Sequence, residues 1–174
     1  ESCARTSEQL KAMFGFSARG YTDLDELLGL ESPDIVDVCT PNEHHSEAVS
    51  AALAAGAHVL CEKPLVWDRA LPGARLQEQA RQLVEQARQA DRHLGICTQY
   101  GAALPHYFEV IGPPDRPIRS YHAELETRAR NRFRDADDIW IDMGSHPLSL
   151  LLAALPGGNI DADSLETRFH DREV

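Results

Sequence analysis

The chain has few aromatic residues and no pair of cysteines at the spacing of a metal or redox motif. Aromatic residues make up 6% of its 174 residues, and the four cysteines lie far apart, with no C-x-x-C pair. This spacing argues against a disulfide framework and against a zinc site. Because Cys39, Cys61 and Cys97 lie in or beside apolar runs, we expect buried, reduced thiols and a cytoplasmic protein.

Long apolar runs and an excess of positive charge are also absent. The longest apolar stretch, residues 148–155, is far shorter than the ~20 residues of a membrane span, and the N-terminal residues resemble no signal segment. Asp and Glu outnumber Lys and Arg by 28 to 17, so the net charge is −11. An acidic chain repels phosphate backbones. We therefore expect neither a membrane nor a nucleic acid as a partner.

Helical patterns alternate with short apolar runs over the first hundred residues. The helical segments are residues 6–14, 23–28, 46–55 and 73–90, and the strand-like segments are residues 34–39, 57–61 and 94–98. Strands separated by helices of this length predict βαβ units and a doubly wound α/β fold with a parallel sheet. The strands are almost wholly apolar, which predicts a sheet covered on both faces.

The pattern changes after Gly101, where four prolines surround Gly112. We place a domain boundary there, with residues 1–114 forming the doubly wound α/β domain and residues 115–174 beginning a second, α+β domain. The second part predicts a strand over residues 118–128, a basic loop over 128–134, a helix over 140–155 and a further strand over 164–170.

Three short segments carry the residue types of an active site. Thr40-Pro41-Asn42-Glu43-His44-His45 and Cys61-Glu62-Lys63-Pro64 each follow a strand, where α/β folds place ligands, and Asp142-Met143-Gly144-Ser145-His146 has an Asp and a His at i and i+4. Each segment taken alone also fits an ordinary structural role: a turn before a solvated helix, a surface lysine paired with Glu62, and a helix start. No third ligand accompanies the Asp/His pair, so we expect no metal.

Taken together, these segments closely resemble the Gfo/Idh/MocA family, named for glucose–fructose oxidoreductase and inositol dehydrogenase. The resemblance rests on residues 21–28, 34–42 and 54–65 with His45, and on the Asp142-x-Gly-x-His146 pattern. It implies a Rossmann-type domain and an NAD(P)-dependent oxidoreductase that transfers a hydride between nicotinamide and a hydroxyl or carbonyl group of a sugar, cyclitol or similar polyol.

The resemblance also implies roles for individual residues. Lys63 matches the lysine that binds the substrate oxygen beside the nicotinamide, while Asp142 and His146 match the residues of substrate orientation and acid–base catalysis. The positions that match the cofactor-lining residues are Thr40, Pro41, Asn42, His45, Glu62, Lys63 and Gln99. Glu1 matches the acidic residue that holds the adenosine ribose, and we therefore expect NAD rather than NADP as the preferred cofactor.

The sequence departs from the family pattern in two places. The family's opening strand and its G-x-G-x-x-G turn are absent, and Asp137-Asp138 stands where the family often has glycines. We therefore expect an incomplete Rossmann-type sheet, truncated at both ends, with a homo-oligomer possible for the longer protein. Two alternatives stay open: a truncated non-catalytic relative that acts as a binding or partner-interaction module, and a different enzyme in which Lys63 forms a Schiff base.

Overall fold

The computed structural model describes residues 2–126, 135–155, 157, 161–164, 166 and 168 of the chain. The chain divides into two compact units, Glu1–Ile96 and Cys97–Val174. This division lies earlier in the chain than the domain boundary predicted after Pro114, and that domain assignment stays a prediction.

The first unit alternates helices and strands as predicted. Its elements are α1 (Ser2–Phe14), α2 (Leu24–Glu31), β1 (Ile35–Val38), a 3-10 turn (Asn42–His44), α3 (His45–Ala54), β2 (His58–Glu62), α4 (Gly73–Gln89) and β3 (Leu94–Cys97). The strands form one sheet in the order β1-β2-β3, and β1 runs parallel to β2. The predicted α/β class with a Rossmann-type parallel sheet is confirmed.

Local sequence signals set the ends of two of these helices. The Asp23 carboxylate caps α2 by accepting a hydrogen bond of 2.8 Å from the Glu26 backbone N–H. Gly56 follows α3 with φ +85°, a conformation that a residue with a Cβ adopts only at a cost. The turn after α3 therefore leads the chain directly into β2.

The core of the first unit lies against one face of the sheet. Val38, Val59 and Cys61 are buried there beneath α2, α3 and α4. The prediction that both faces are covered is wrong for the described residues, because Ile35 is 68% exposed and Leu60 is 41% exposed on the opposite face. Side chains alternate between the two faces of a strand.

Two of the three cysteines predicted to be buried are not, and the same alternation explains one of these differences. Cys61 is buried as expected, but Cys39 is exposed and Cys97 is half-buried. Cys39 lies one residue beyond Val38, whose side chain points into the core, so that of Cys39 points the other way. None of the four cysteines forms a disulfide.

The second unit contains one helix that the sequence analysis did not predict. This helix, α5 (Tyr100–Ile111), includes Pro105 and packs against α7 (Ser145–Ala154). Proline removes a helical hydrogen-bond donor, which is why the segment reads as a loop. Contacts with α7, which is distant in sequence, favour the helix despite that loss, and no local sequence pattern predicts them.

The predicted strand over residues 118–128 is wrong for residues 118–126, which have no strand structure. A strand needs a neighbour to complete its hydrogen bonds, and no described strand pairs with this segment. Residues 127–128 and the loop over 128–134 lie outside the described residues. Of the strand predicted over 164–170, Ser164 instead ends a 3-10 turn (Ala162–Ser164), and residues 165, 167, 169 and 170 are not described.

The single helix predicted over residues 140–155 is two helices, α6 (Ala136–Met143) and α7, separated at Gly144. Pro147 accounts for the break, because it has no N–H to donate to the carbonyl of Met143 and its ring crowds that carbonyl. Within the described part of the chain, every helix is too short or too polar to cross a membrane.

Candidate functional site

Two turns leave the sheet side by side at the carboxyl ends of β1 and β2. The strands are in register so that Val38 lies opposite Cys61. Thr40 follows β1 by two residues, and Lys63 follows β2 directly. Since the strands are parallel, both turns emerge at the same edge of the sheet, as predicted.

The buried side chain of His45 joins these two turns. Its Nε2 atom lies 2.9 Å from the carbonyl oxygen of Thr40, and its Nδ1 atom lies 2.6 Å from the carbonyl oxygen of Pro64. His45 is the first residue of α3 and is 0% exposed. The ring therefore has no exposed surface that a ligand could contact.

Around this bridge, five other residues expected at the cofactor are accessible. Thr40 and Pro41 are exposed, while Asn42, Glu62 and Lys63 are half-buried. Asn42 begins the 3-10 turn that leads into α3, and Lys63 precedes Pro64 through a cis peptide bond. The turns thus present one amine, one amide, one carboxylate and one hydroxyl at a single edge of the sheet.

In the second unit, Asp142 and His146 lie on either side of the break between α6 and α7. The sequence analysis predicted that they share one uninterrupted helix, and this prediction is wrong. His146 donates from Nδ1 to the carbonyl oxygen of Thr98 over 2.9 Å. In the neutral ring this bond assigns the proton to Nδ1 and leaves the Nε2 lone pair as the basic atom.

Tyr100 and Gln99 complete the surroundings of His146. The Tyr100 ring meets the imidazole edge-on, with ring centroids 5.0 Å apart. Gln99 has φ +61° and ψ −62°, and the Tyr100 N–H donates to the Thr98 carbonyl over 2.7 Å. This is a three-residue γ-turn of the strained type. It directs the Thr98 carbonyl, and sequence reasoning missed both Thr98 and Tyr100 because their contribution arises from backbone conformation and packing.

Two further expectations concern the ribose and a metal. Glu1, predicted to hold the adenosine ribose, lies outside the described residues. In the described ranges, no three His, Cys, Asp or Glu side chains are grouped as metal ligands would be.

The parallel sheet and its paired strand-end turns define a nucleotide-binding domain of the Rossmann class. Comparison with known families agrees: residues 2–97 match the oxidoreductase family with an NAD-binding Rossmann fold, Gfo/Idh/MocA. The chain therefore belongs to the Gfo/Idh/MocA oxidoreductase family, as its sequence motifs indicated.

Individual relatives extend this result. The chain is 44% identical over 88 residues to 1,5-anhydro-D-fructose reductase from Ensifer adhaerens. The matched region covers 51% of this chain and 24% of that protein. It is 40% identical over 173 residues to D-xylose 1-dehydrogenase (NADP(+)) from Hypocrea jecorina. This matched region covers 88% of this chain and 42% of that protein. The chain thus spans less than half the length of either relative.

Among solved structures, the fold resembles an inositol dehydrogenase homologue from Azotobacter vinelandii in complex with NADH and myo-inositol. The TM-score is 0.60 at 24% identity, and the match covers 90% of this chain and 44% of that one. At this identity the likeness supports the shared fold.

Proposed function

We propose that the protein takes part in NAD(P)-dependent hydride transfer between nicotinamide and a hydroxyl or carbonyl group of a sugar, cyclitol or similar polyol. The observation that supports this most strongly is the pair of turns bridged by His45, because it combines the family's Lys63 turn and its Thr40–Asn42 turn in one rigid unit. Relatives named for D-xylose, 1,5-anhydro-D-fructose and inositol favour a polyhydroxylated substrate.

In this proposal, Lys63 binds the reacting oxygen of the substrate. Its ammonium group donates a hydrogen bond to a hydroxyl or carbonyl oxygen and stabilises negative charge that develops there. Lys63 is half-buried at the strand end, so the interaction is less screened by water than at an open surface.

His146 is the proposed acid–base residue, and Asp142 orients the substrate. The bond from Nδ1 to Thr98 leaves Nε2 to accept a proton from a hydroxyl group during oxidation and to return it during reduction. The γ-turn at Gln99 and the Tyr100 ring restrict rotation of the imidazole. The proton is thereby transferred at one defined atom.

The strand-end residues fit a nicotinamide nucleotide. Asn42, Thr40 and Glu62 offer donors and acceptors at the edge of the sheet where Rossmann domains bind such cofactors, and Gln99 is exposed at the end of β3. When bound, the nicotinamide supplies the hydride acceptor or donor. A preference for NAD over NADP rests on Glu1 and is part of the proposal.

The test combines cofactor binding with turnover in the full-length protein. NADH and NADPH are titrated by fluorescence, and oxidation of pentoses, hexoses and inositols is followed by NAD(P)H absorbance. Lys63→Ala and His146→Ala should each lower kcat by about 10²- to 10⁴-fold, with unchanged circular dichroism. The matched controls are Lys11→Ala and His106→Ala. They replace an exposed lysine and an exposed histidine that are distant in sequence from Lys63 and His146.

Near-normal turnover in either site variant would show that the residue has no catalytic role. Saturable NADH binding with no turnover of any polyol would favour the open alternative of a binding module. Tighter binding of NADPH than of NADH would contradict the role given to Glu1.

A further inference from the structure

We infer that His45 is a positioning residue that controls two properties of the site separately: the placement of Lys63 through the Pro64 carbonyl and cofactor binding through the Thr40 carbonyl. This inference rests on the proposed function. It goes beyond the expectation that His45 lines the cofactor, because the ring is 0% exposed and can contact no ligand.

The geometry gives each ring nitrogen a separate task. Nδ1 lies 2.6 Å from the Pro64 carbonyl oxygen, one peptide bond beyond Lys63. Nε2 lies 2.9 Å from the Thr40 carbonyl oxygen, in the turn that leads to Asn42. Each ring nitrogen therefore lies at hydrogen-bonding distance from the backbone carbonyl oxygen of a different turn.

The surroundings make the bridge stiff. His45 begins α3, and the next turn of that helix carries Ala48 and Val49, which are buried in the core against β1 and β2. A ring held in this way cannot follow a moving loop, so it fixes both carbonyls relative to the sheet. Displacements of about 1 Å in an active site can cost about 100-fold in rate, which is the effect expected when the Lys63 turn is released.

Two amide substitutions separate the two tasks. In His45→Asn, the side-chain amide reaches about as far as Nδ1 and can still donate to Pro64. In His45→Gln, it reaches about as far as Nε2 and can still donate to Thr40. His45→Phe fills the same volume with neither bond. The matched control is His44→Ala, which alters the exposed neighbouring histidine.

The expected outcome in the full-length protein is a crossed pattern. His45→Gln should lower kcat about 10- to 100-fold with cofactor Kd nearly unchanged. His45→Asn should raise cofactor Kd about fivefold, the equivalent of one hydrogen bond, with kcat nearly unchanged. His45→Phe should show both defects, and His44→Ala neither. If the two amide variants changed kcat and Kd together, the division of tasks would be overturned.

A double-mutant cycle with Lys63→Ala tests the route of the kcat effect. If His45 acts through Lys63, adding His45→Gln to Lys63→Ala should cause little further loss of kcat. Fully multiplicative losses would contradict that route.

Amide hydrogen exchange distinguishes failure of this inference from failure of the proposed function, because it needs no turnover. His45→Phe should speed exchange at Lys63 and Leu65 and around Asn42, while the buried end of α3 at Leu53 stays protected. An inactive wild-type protein with this exchange pattern would refute the dehydrogenase proposal but confirm the bridge. Unchanged exchange in a folded His45→Phe variant would refute the bridge itself. If His45→Phe fails to fold, the two amide variants are compared in the same way.

Discussion

The two units differ in how they bury their apolar side chains. All the buried apolar residues among those the structure describes lie in the first unit, around Val49, Leu53 and Cys61. In the second unit, α5, α6 and α7 keep large apolar side chains exposed, including Tyr107, Trp140 and Leu152. The first unit therefore has a core of its own, whereas the described helices of the second pack on one another with much apolar surface left in water.

Because of this difference, the two parts of the candidate site are held in place by different kinds of contact. The Thr40 and Lys63 turns are attached to strands that bury their inner faces, and His45 ties them together. His146 depends instead on one backbone carbonyl and one aromatic edge. We expect the first half of the machinery to tolerate little change in its core and the second half to respond mainly to local contacts.

The largest expected difference concerns leucine truncation in each unit. Leu53→Ala should lower the free energy of unfolding by about 2–5 kcal/mol, because Leu53 is 1% exposed and its removal leaves a cavity. Leu152→Ala, at a position 49% exposed, should change it by no more than about 0.5 kcal/mol. Urea unfolding measures both. Equal losses would show that the second unit is more tightly packed than described.

A smaller effect is expected at the helix caps. Asp23 caps α2 and Asp135 caps α6, each by accepting a 2.8 Å bond from a backbone N–H. Asp→Ala at either position should cost about 1 kcal/mol, while Asp→Asn retains the acceptor and should cost less. The two tryptophans, Trp67 and Trp140, lie one in each unit. In a variant that keeps only one of these tryptophans, tryptophan fluorescence follows the unfolding of the unit that contains it. If one cap substitution shifted the unfolding transitions of both units, the units would unfold together.

The smallest effect is a dependence of stability on alkaline pH. A hydrogen bond from the Tyr21 hydroxyl to Glu31 raises the pKa of Tyr21 above its usual value of 10.0. The bond stabilises the protonated phenol, so its contribution is complete below pH 10 and is lost as the pH rises through the folded-state pKa.

Tyr21→Phe should therefore destabilise the protein slightly at neutral pH, and the gap from wild type should close above pH 10. Tyr107→Phe, at an exposed tyrosine of the second unit, is the control and should show no such closing gap. Chemical denaturation at several pH values makes the comparison. A gap that widens with rising pH would contradict the sign of the shift.

The success of sequence reasoning follows the same division between the units. In the first unit, strands, helices and their order follow from apolar periodicity, the Asp23 cap and the Gly56 turn, and the family motifs place Lys63 and Asn42 at one sheet edge. In the second unit, α5 and the break before Pro147 were missed. A proline in an apolar segment is compatible with either a helix or a loop, and packing against α7 decides between them.

The sequence by itself determined the family and the α/β class and supplied the residues of the candidate site, because these depend on local patterns and on motif spacing. Only the tertiary structure decided that His45 is a buried bridge and that His146 presents Nε2, because both roles arise from backbone carbonyls brought in by chain segments distant in sequence. It also decided that, among the described residues, helices cover only one face of the sheet. Side-chain alternation defines the two faces of a strand but does not determine which of them is covered.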